Sequence, residues 1–166
     1  HGNLEKFISS KTNRHFKGSE IVDLEYESPF DHLPRVKETL RDFKHRVVAT
    51  DSLILPISEE EGTGLVHVAT GAGTEDFTLG KKLGLPVIDV IDEEANYLED
   101  LGEFTGKNAK NHPEIILDFL KRYDSGKFLF KVEKITHRYP ACWRCKTELV
   151  WRVVDEWYIK MDPLRE

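Results

Sequence analysis

The sequence predicts an α+β domain with a curved or barrel-like, mostly antiparallel sheet and surrounding helices. Two observations support this fold class. Short strand-like runs and helical segments interleave irregularly along the chain, and they lack the even βαβ rhythm of a doubly wound sheet. A length of 166 residues suits one compact domain with a tail, long enough to bury a core.

Seven runs are predicted to be strands. Residues 19–26 alternate between two faces and stop before Pro29, which suits a half-buried strand. Residues 65–69 are rich in β-branched and apolar side chains, and residues 85–91 are almost continuously apolar. The other predicted strands are residues 46–50, 52–57, 127–136 and 148–161.

Three segments are predicted to be helices. Residues 32–44 carry Pro34 at a position suited to a first helical turn, and residues 113–122 begin with Pro113 and place apolar side chains on one side. Residues 74–83 begin with acids and end with lysines, as the helix dipole prefers. Residues 1–18 read as a frayed lead-in, 92–96 as a turn and 102–110 as a loop.

Composition narrows the function classes. The net charge of −6 argues against broad, sequence-independent binding to a nucleic-acid backbone, although it allows a grip on one single-stranded end. No apolar run approaches the ~20 residues that span a bilayer, so no membrane role is predicted. The chain starts with His1 rather than Met, which predicts a piece of a larger protein.

Residues 61–76 hold the strongest candidate site. Gly62 and Gly64 precede the predicted strand, from which His67 would project in otherwise apolar company. Gly71 and Gly73 then form a turn that leads to a helix start, where backbone N–H groups can hold an anion or a polarised carbonyl oxygen.

Each of these residues also has a plainer interpretation. The glycines suit a tight strand-to-helix connection, and His67 suits a hydrogen-bonded core position. Asp76 suits the first turn of a helix, where an acid is favourable to the dipole. No single residue therefore decides the function.

Two motifs, taken together, point to a family. Gly62-Thr-Gly-Leu-Val-His67, followed by Gly-X-Gly-X-Glu-Asp-Phe77, resembles the editing-site motif of the isoleucyl-tRNA synthetases. The segment Tyr139-Pro-Ala-Cys-Trp-Arg-Cys-Lys-Thr147, running on through Trp157-Tyr-Ile-Lys-Met161, is similar to the one where that family's editing insertion returns to its catalytic core. The motifs occur in the family's order, and the similarity extends from about Gly18 to the end.

The resemblance implies post-transfer editing, in which water cleaves the aminoacyl ester of mischarged valyl-tRNA(Ile). It makes His67 and Asp76 the catalytic residues and Thr70, Gly71 and Gly73 the substrate-binding residues. The partners would be the 3′ aminoacylated end of tRNA(Ile) and the rest of the synthetase chain, with a monomeric enzyme and no cofactor for editing. Residues 1–138 would form the editing domain and 139–166 the return element.

Cys142 and Cys145 have the spacing of a metal-binding or redox pair in a reducing compartment, which predicts a cytoplasmic protein. They could supply half of a tetrahedral zinc site, or stay reduced and unliganded. A redox role is disfavoured because no βαβ pattern surrounds the pair. The resemblance implies that a second pair, from elsewhere in the synthetase, completes the zinc site.

The chain also departs from the family. Thr70 stands where the family carries proline, and residues 1–17 do not match the threonine-rich strand that forms the other pocket wall. The ATP-site signatures are absent, so residues 1–166 alone are expected neither to activate an amino acid nor to deacylate well. The alternatives are a valyl or leucyl editing domain, whose pattern lacks histidine at position 67, and a non-catalytic tRNA-end-binding or zinc-stabilised module. Hydrolysis of a mischarged tRNA separates a module from an enzyme.

Overall fold

The computed structural model describes residues 16–58, 64–134, 136 and 138–165. Within these residues it contains three α-helices and four short 3₁₀ turns. The helices are α1 (Pro34–Leu40), α2 (Thr74–Leu83) and α3 (Glu114–Arg122), and the 3₁₀ turns cover Gly18–Glu20, Gly102–Phe104, Tyr123–Gly126 and Asp162–Leu164. Most of the predicted lead-in, and Gly62 in the central motif, lie outside the described residues.

The predicted barrel-like antiparallel sheet is wrong. Strand pairing among the described residues is limited to four isolated antiparallel bridges, and none extends into a ladder. Alternating and apolar runs indicate which side chains could be buried. A strand also needs a neighbouring strand whose backbone groups hydrogen-bond with its own. At residues 65–69 the side chains are not buried either, since Leu65 is 55% and Val66 50% exposed. The bridges join Glu25 to Arg46, Ile91 to Tyr97, Asn96 to Asn108 and Ala141 to Glu148.

The three predicted helices are confirmed. Pro34 opens α1, and Val36 and Leu40, four residues apart, bury one side of it. The helix is shorter than predicted because Arg41 adopts φ 50° and ψ −112°, outside the helical region. In α3, Pro113 lies just before the first residue, and Lys121 and Arg122 lie in the last turn.

Helix α2 has the boundaries that the sequence predicts. Glu75 and Asp76 lie in its first turn and Lys81 and Lys82 in its last, so both ends complement the helix dipole. Gly84 ends the helix in the left-handed conformation at φ 66°, which glycine adopts at little cost.

The core lies between α1, α3 and the 3₁₀ turn at Gly102–Phe104. Phe119 of α3 is at its centre, with its ring 5.2 Å from that of Phe104 and 5.5 Å from that of Phe30. Such aromatic pairs bury large areas and prefer edge and offset arrangements. The buried cluster consists of Leu33, Val36, Leu40, Leu101, Phe104 and Phe119.

The turn predicted at residues 92–96 is also confirmed. One carboxylate oxygen of Asp92 accepts hydrogen bonds from the backbone N–H groups of Glu94 and Asn96, both at distances below 3.0 Å. Hydrogen bonding, mainly from Asn96, lowers the pKa of Asp92 below its ordinary value. Asp92 therefore serves the local turn.

Helix length rules out a membrane span by any of the described helices. The longest, α2, has ten residues, about half of the ~20 that cross a bilayer.

Replacing Phe119 with alanine tests the position of the core. Phe119 is only 6% exposed, so Phe119→Ala should lower the free energy of unfolding by about 3–5 kcal/mol. Phe130 is 73% exposed, and Phe130→Ala is the matched control, with an expected change within about 0.5 kcal/mol. Denaturant unfolding measures both. Equal losses of unfolding free energy in the two variants would show that Phe119 is not part of the core.

Candidate functional site

The glycine turn connects the 65–69 segment to α2. The N–H of Ala72 donates to the Ala69 carbonyl at 2.8 Å, which closes the turn. Gly73 then precedes the first residue of α2, and its carbonyl accepts the N–H of Phe77 at 2.9 Å. The predicted arrangement of a glycine turn that ends at a helix N-terminus is therefore present.

The turn is fixed against the segment that follows α2. The Thr70 hydroxyl donates to the Pro86 carbonyl at 2.7 Å. A Cβ placed on Gly71 would lie 3.5 Å from the Ile88 carbonyl oxygen and 3.6 Å from a Val87 methyl carbon, so the backbone of Gly71 passes close to residues 87 and 88.

Asp76, the third residue of α2, folds its carboxylate back over the turn. Its Oδ1 atom is buried and has no hydrogen-bond partner in the described part of the chain. A Cβ on Gly73 would come within 2.7 Å of Oδ2, so any other residue at position 73 would make the Asp76 carboxylate move. Gly73 therefore makes room for the Asp76 carboxylate, a relation that the motif alone does not reveal.

The electrostatics at Asp76 leave its charge under-compensated. Burial raises the pKa of Asp76 above its ordinary value, and Glu75 adds to the increase. A backbone hydrogen bond at Ala69 and the charge of His67 lower the pKa, but by less than burial raises it. An ionised Asp76 thus gains from a cation brought to it.

His67 lies near Asp76, since its charge affects the carboxylate, and His67 is exposed. The prediction that it projects from a sheet is not met, because residues 65–69 form no strand. The two predicted catalytic residues, His67 and Asp76, thus lie within electrostatic range of each other. Thr70, Gly71 and Gly73 are half-buried.

The Cys-X-X-Cys element forms a tight hairpin. The N–H of Cys142 donates to the Thr147 carbonyl at 2.8 Å, and the N–H of Lys146 donates to the Cys142 carbonyl at 2.9 Å. Lys146 takes φ 62°, which turns the chain back. Hydrogen bonding with the Thr147 side chain and backbone, and with Cys142, lowers the pKa of Cys145 from 9.0 to about 7.

The hairpin offers two ligands for a metal ion. Both cysteines are free thiols, and the lowered pKa of Cys145 favours the thiolate that zinc binds. No cluster of three or more candidate ligands occurs in the part of the chain that the structure describes. The donor set thus fits half of a structural zinc site.

A separate cleft of about 440 Å³ adjoins α1, and sequence reasoning did not find it. It contains a hydrogen bond of 2.8 Å between His45 Nε2 and Asp31 Oδ1, two residues too far apart in sequence to form a motif. Its acidic and basic side chains are equal in number, so charge alone selects no ligand class. They are Glu25, Glu27 and Asp31 against Lys37, Arg41 and Lys44.

Comparison with known proteins identifies the relatives. No family model matches the chain. The isoleucine–tRNA ligase of Pyrococcus furiosus is 40% identical over 162 residues, which cover 96% of this chain and 14% of that protein. The enzyme of the same name from Saccharolobus solfataricus is 38% identical over 156 residues, covering 94% of this chain and 15% of that protein. The one from Archaeoglobus fulgidus is 38% identical over 152 residues, covering 91% and 14%.

The chain is homologous to one segment of the isoleucine–tRNA ligases. It spans about one seventh of the length of these relatives, as the 14–15% coverage shows. The resemblance read from the motifs at residues 62–77 and 139–161 is thereby confirmed at the level of the family. All three relatives are named as isoleucine–tRNA ligases, and none of the three is named for valine or leucine.

Replacing Asp76 with asparagine tests its electrostatic environment. Because the folded-state pKa of Asp76 is raised, the folded protein is favoured while the carboxyl is protonated and loses stability as pH rises through that pKa. Asp76→Asn should therefore raise the melting temperature at pH 7, and the gain should shrink as pH falls below about 4.

Asp89 is exposed, and Asp89→Asn is the matched control, with no pH-dependent gain expected. Thermal unfolding from pH 3 to pH 8 measures both variants. A loss of stability in Asp76→Asn at neutral pH would show that the carboxylate is well compensated in the folded chain.

Proposed function

We propose that this segment carries the post-transfer editing activity of an isoleucine–tRNA ligase and hydrolyses valyl-tRNA(Ile). The observation that supports the proposal most is the buried Asp76 Oδ1 without a hydrogen-bond partner, beside a glycine turn at the start of α2. A buried carboxylate oxygen left unpaired is costly, so its retention favours a role with a ligand.

This reaction is needed because a binding pocket discriminates poorly between two amino acids of similar size. Valine is one methylene smaller than isoleucine, and a hydrophobic pocket discriminates such a pair by only ~1–3 kcal/mol. This enzyme family is itself the standard illustration of that limit, so the magnitude is not a result of the structure. A second site that hydrolyses the wrong ester removes the remaining errors.

Asp76 is assigned to bind the α-ammonium of the misattached valine. An ammonium group that reached the carboxylate would supply the hydrogen bond that Oδ1 lacks and would add to the positive charge that His67 provides. Binding the ammonium fixes one end of the aminoacyl group, which sets the position of the ester carbonyl.

His67 and the glycine turn are assigned to the other end of the substrate. The exposed ring of His67 would exclude the longer isoleucine side chain and hydrogen-bond the terminal ribose or the attacking water. The N–H groups of Gly71 and Gly73 donate to no other residue in the described part of the chain. With the backbone of Thr70 they would bind the ester carbonyl or the terminal adenosine.

In the hydrolytic step, water adds to the ester carbonyl and the bond to the ribose oxygen breaks, releasing valine and tRNA. The proton of the water passes through His67, or through the neighbouring ribose hydroxyl of the substrate as a relay, to the ribose oxygen that leaves. The step needs no metal ion or other cofactor.

The rest of the assignment follows the same division of the chain. Residues 1–138 would form the editing unit, and residues 139–166 the return to the synthetase core. Cys142 and Cys145 would hold a structural zinc ion with two further ligands from the rest of a monomeric, cytoplasmic enzyme. The zinc ion would stabilise the hairpin and take no part in the hydrolysis.

Two substitutions in the full synthetase test the proposed roles. Asp76→Ala removes the group that binds the ammonium, so hydrolysis of valyl-tRNA(Ile) should fall by orders of magnitude while amino-acid activation stays unchanged. His67→Ala enlarges the site, so correctly charged isoleucyl-tRNA should begin to be hydrolysed. The exposed neighbour Glu75 gives the control, and Glu75→Ala should leave both rates near those of the native enzyme.

Deacylation rates of both esters with all three variants decide between the functions. Normal clearance of valyl-tRNA by Asp76→Ala, with no attack on isoleucyl-tRNA by His67→Ala, would contradict both assignments. The native enzyme's failure to hydrolyse either ester, with tRNA binding intact, would favour the non-catalytic module.

A further inference from the structure

Thr70 is bound by its side chain to a segment sixteen residues further along the chain. Its hydroxyl donates to the Pro86 carbonyl at 2.7 Å. This hydrogen bond joins the glycine turn to the chain after α2.

Gly80, in the middle of α2, accommodates the other branch of the Thr70 side chain. A Cβ on Gly80 would lie 2.5 Å from Thr70 Cγ2 and 3.2 Å from Thr70 Cβ, and Gly80 is buried. Glycine is a poor helix former, so its presence inside α2 needs a reason. The close approach of the Thr70 methyl group supplies that reason.

These two contacts fix the turn relative to Asp76. Thr70 follows Ala69, whose backbone hydrogen-bonds the Asp76 carboxyl, and precedes Gly71, whose backbone passes close to residues 87 and 88. The Gly80 carbonyl also accepts the N–H of Leu85 at 2.9 Å, so α2 and the segment containing Pro86 are themselves joined. Thr70 packs against both.

We propose that Thr70 is a positioning residue that holds the glycine turn against α2. The absence of a side chain at Gly80 leaves the space that the Thr70 methyl group occupies. Its hydroxyl is directed to the Pro86 carbonyl, so Thr70 acts on the substrate through the backbone of the turn. The structural part of this proposal stands on its own contacts, whereas its effect on catalysis rests on the proposed editing function.

A double-mutant cycle tests the packing of Thr70 against Gly80. Gly80→Ala should lower the melting temperature, since the new methyl group meets Thr70 Cγ2. Thr70→Ser removes that methyl and keeps the hydroxyl. In the Thr70→Ser background, Gly80→Ala should then cost much less or even stabilise α2, because alanine is the better helix former.

Thermal unfolding of residues 1–166, native and with the three variants, measures the coupling. Strictly additive shifts would overturn the proposed packing. Gly126 is the control: its left-handed φ of 80° makes Gly126→Ala destabilising for backbone reasons, and its cost should not change in the Thr70→Ser background.

Deacylation by the full synthetase tests the effect on catalysis. Thr70→Val keeps the shape but loses the donor, so kcat for valyl-tRNA should fall roughly tenfold or more with little change in KM. Thr70→Ser should retain most of the rate, which a purely space-filling role would not predict. Equal rates for Thr70→Val and the native enzyme would overturn the positioning role.

The two experiments separate the two proposals. Coupling in the unfolding cycle without any deacylation by the native synthetase would contradict the editing function and leave the Thr70–Gly80 packing intact. Native deacylation with additive unfolding shifts would contradict the packing and leave the editing function intact.

Discussion

The arrangement of the site depends on the placement of the Asp76 carboxylate, half-buried against Gly73 with one oxygen unpaired. That position is accommodated by Gly73, by a helix that begins at Thr74, and by a turn that Thr70 holds in place. None of these residues, Gly73, Thr74 and Thr70, has a strongly reactive side chain. Together they keep a carboxylate where water is partly excluded and where the charge of His67 offsets the effect of burial only in part.

Stability and function are separated in the chain. The aromatic core around Phe119 joins α1 and α3, whereas the candidate site lies on α2 and the turn before it. A site that keeps an under-compensated acid reduces stability locally, and proteins commonly keep such strain at functional positions. The stability that the core provides therefore offsets the local loss at the candidate site.

The helices were predictable from the sequence, and the sheet was not. Caps, helical spacing and end charges are local signals, and they located α1, α2 and α3. Strand pairing is non-local, so the apolar runs at residues 65–69 and 148–161 could be seen without knowing how little they pair. Among the described residues, the first run has no bridge and the second has only the one between Glu148 and Ala141. His67 and Asp76 were found by motif, but the contacts between Gly73 and Asp76 and between Gly80 and Thr70 depend on packing that no spacing reveals.

Ligand binding to the full synthetase gives the most direct test of the role of Asp76. The ligand is adenosine carrying valine through a hydrolysis-resistant amide, and its counterpart lacks only the α-amino group. Loss of that group should weaken calorimetric binding to the native enzyme roughly tenfold or more, because a hydrogen bond to a charged group contributes about 1.5–3 kcal/mol. The Asp76→Asn enzyme should bind both ligands equally. An equal loss of affinity in both enzymes would show that the ammonium binds elsewhere.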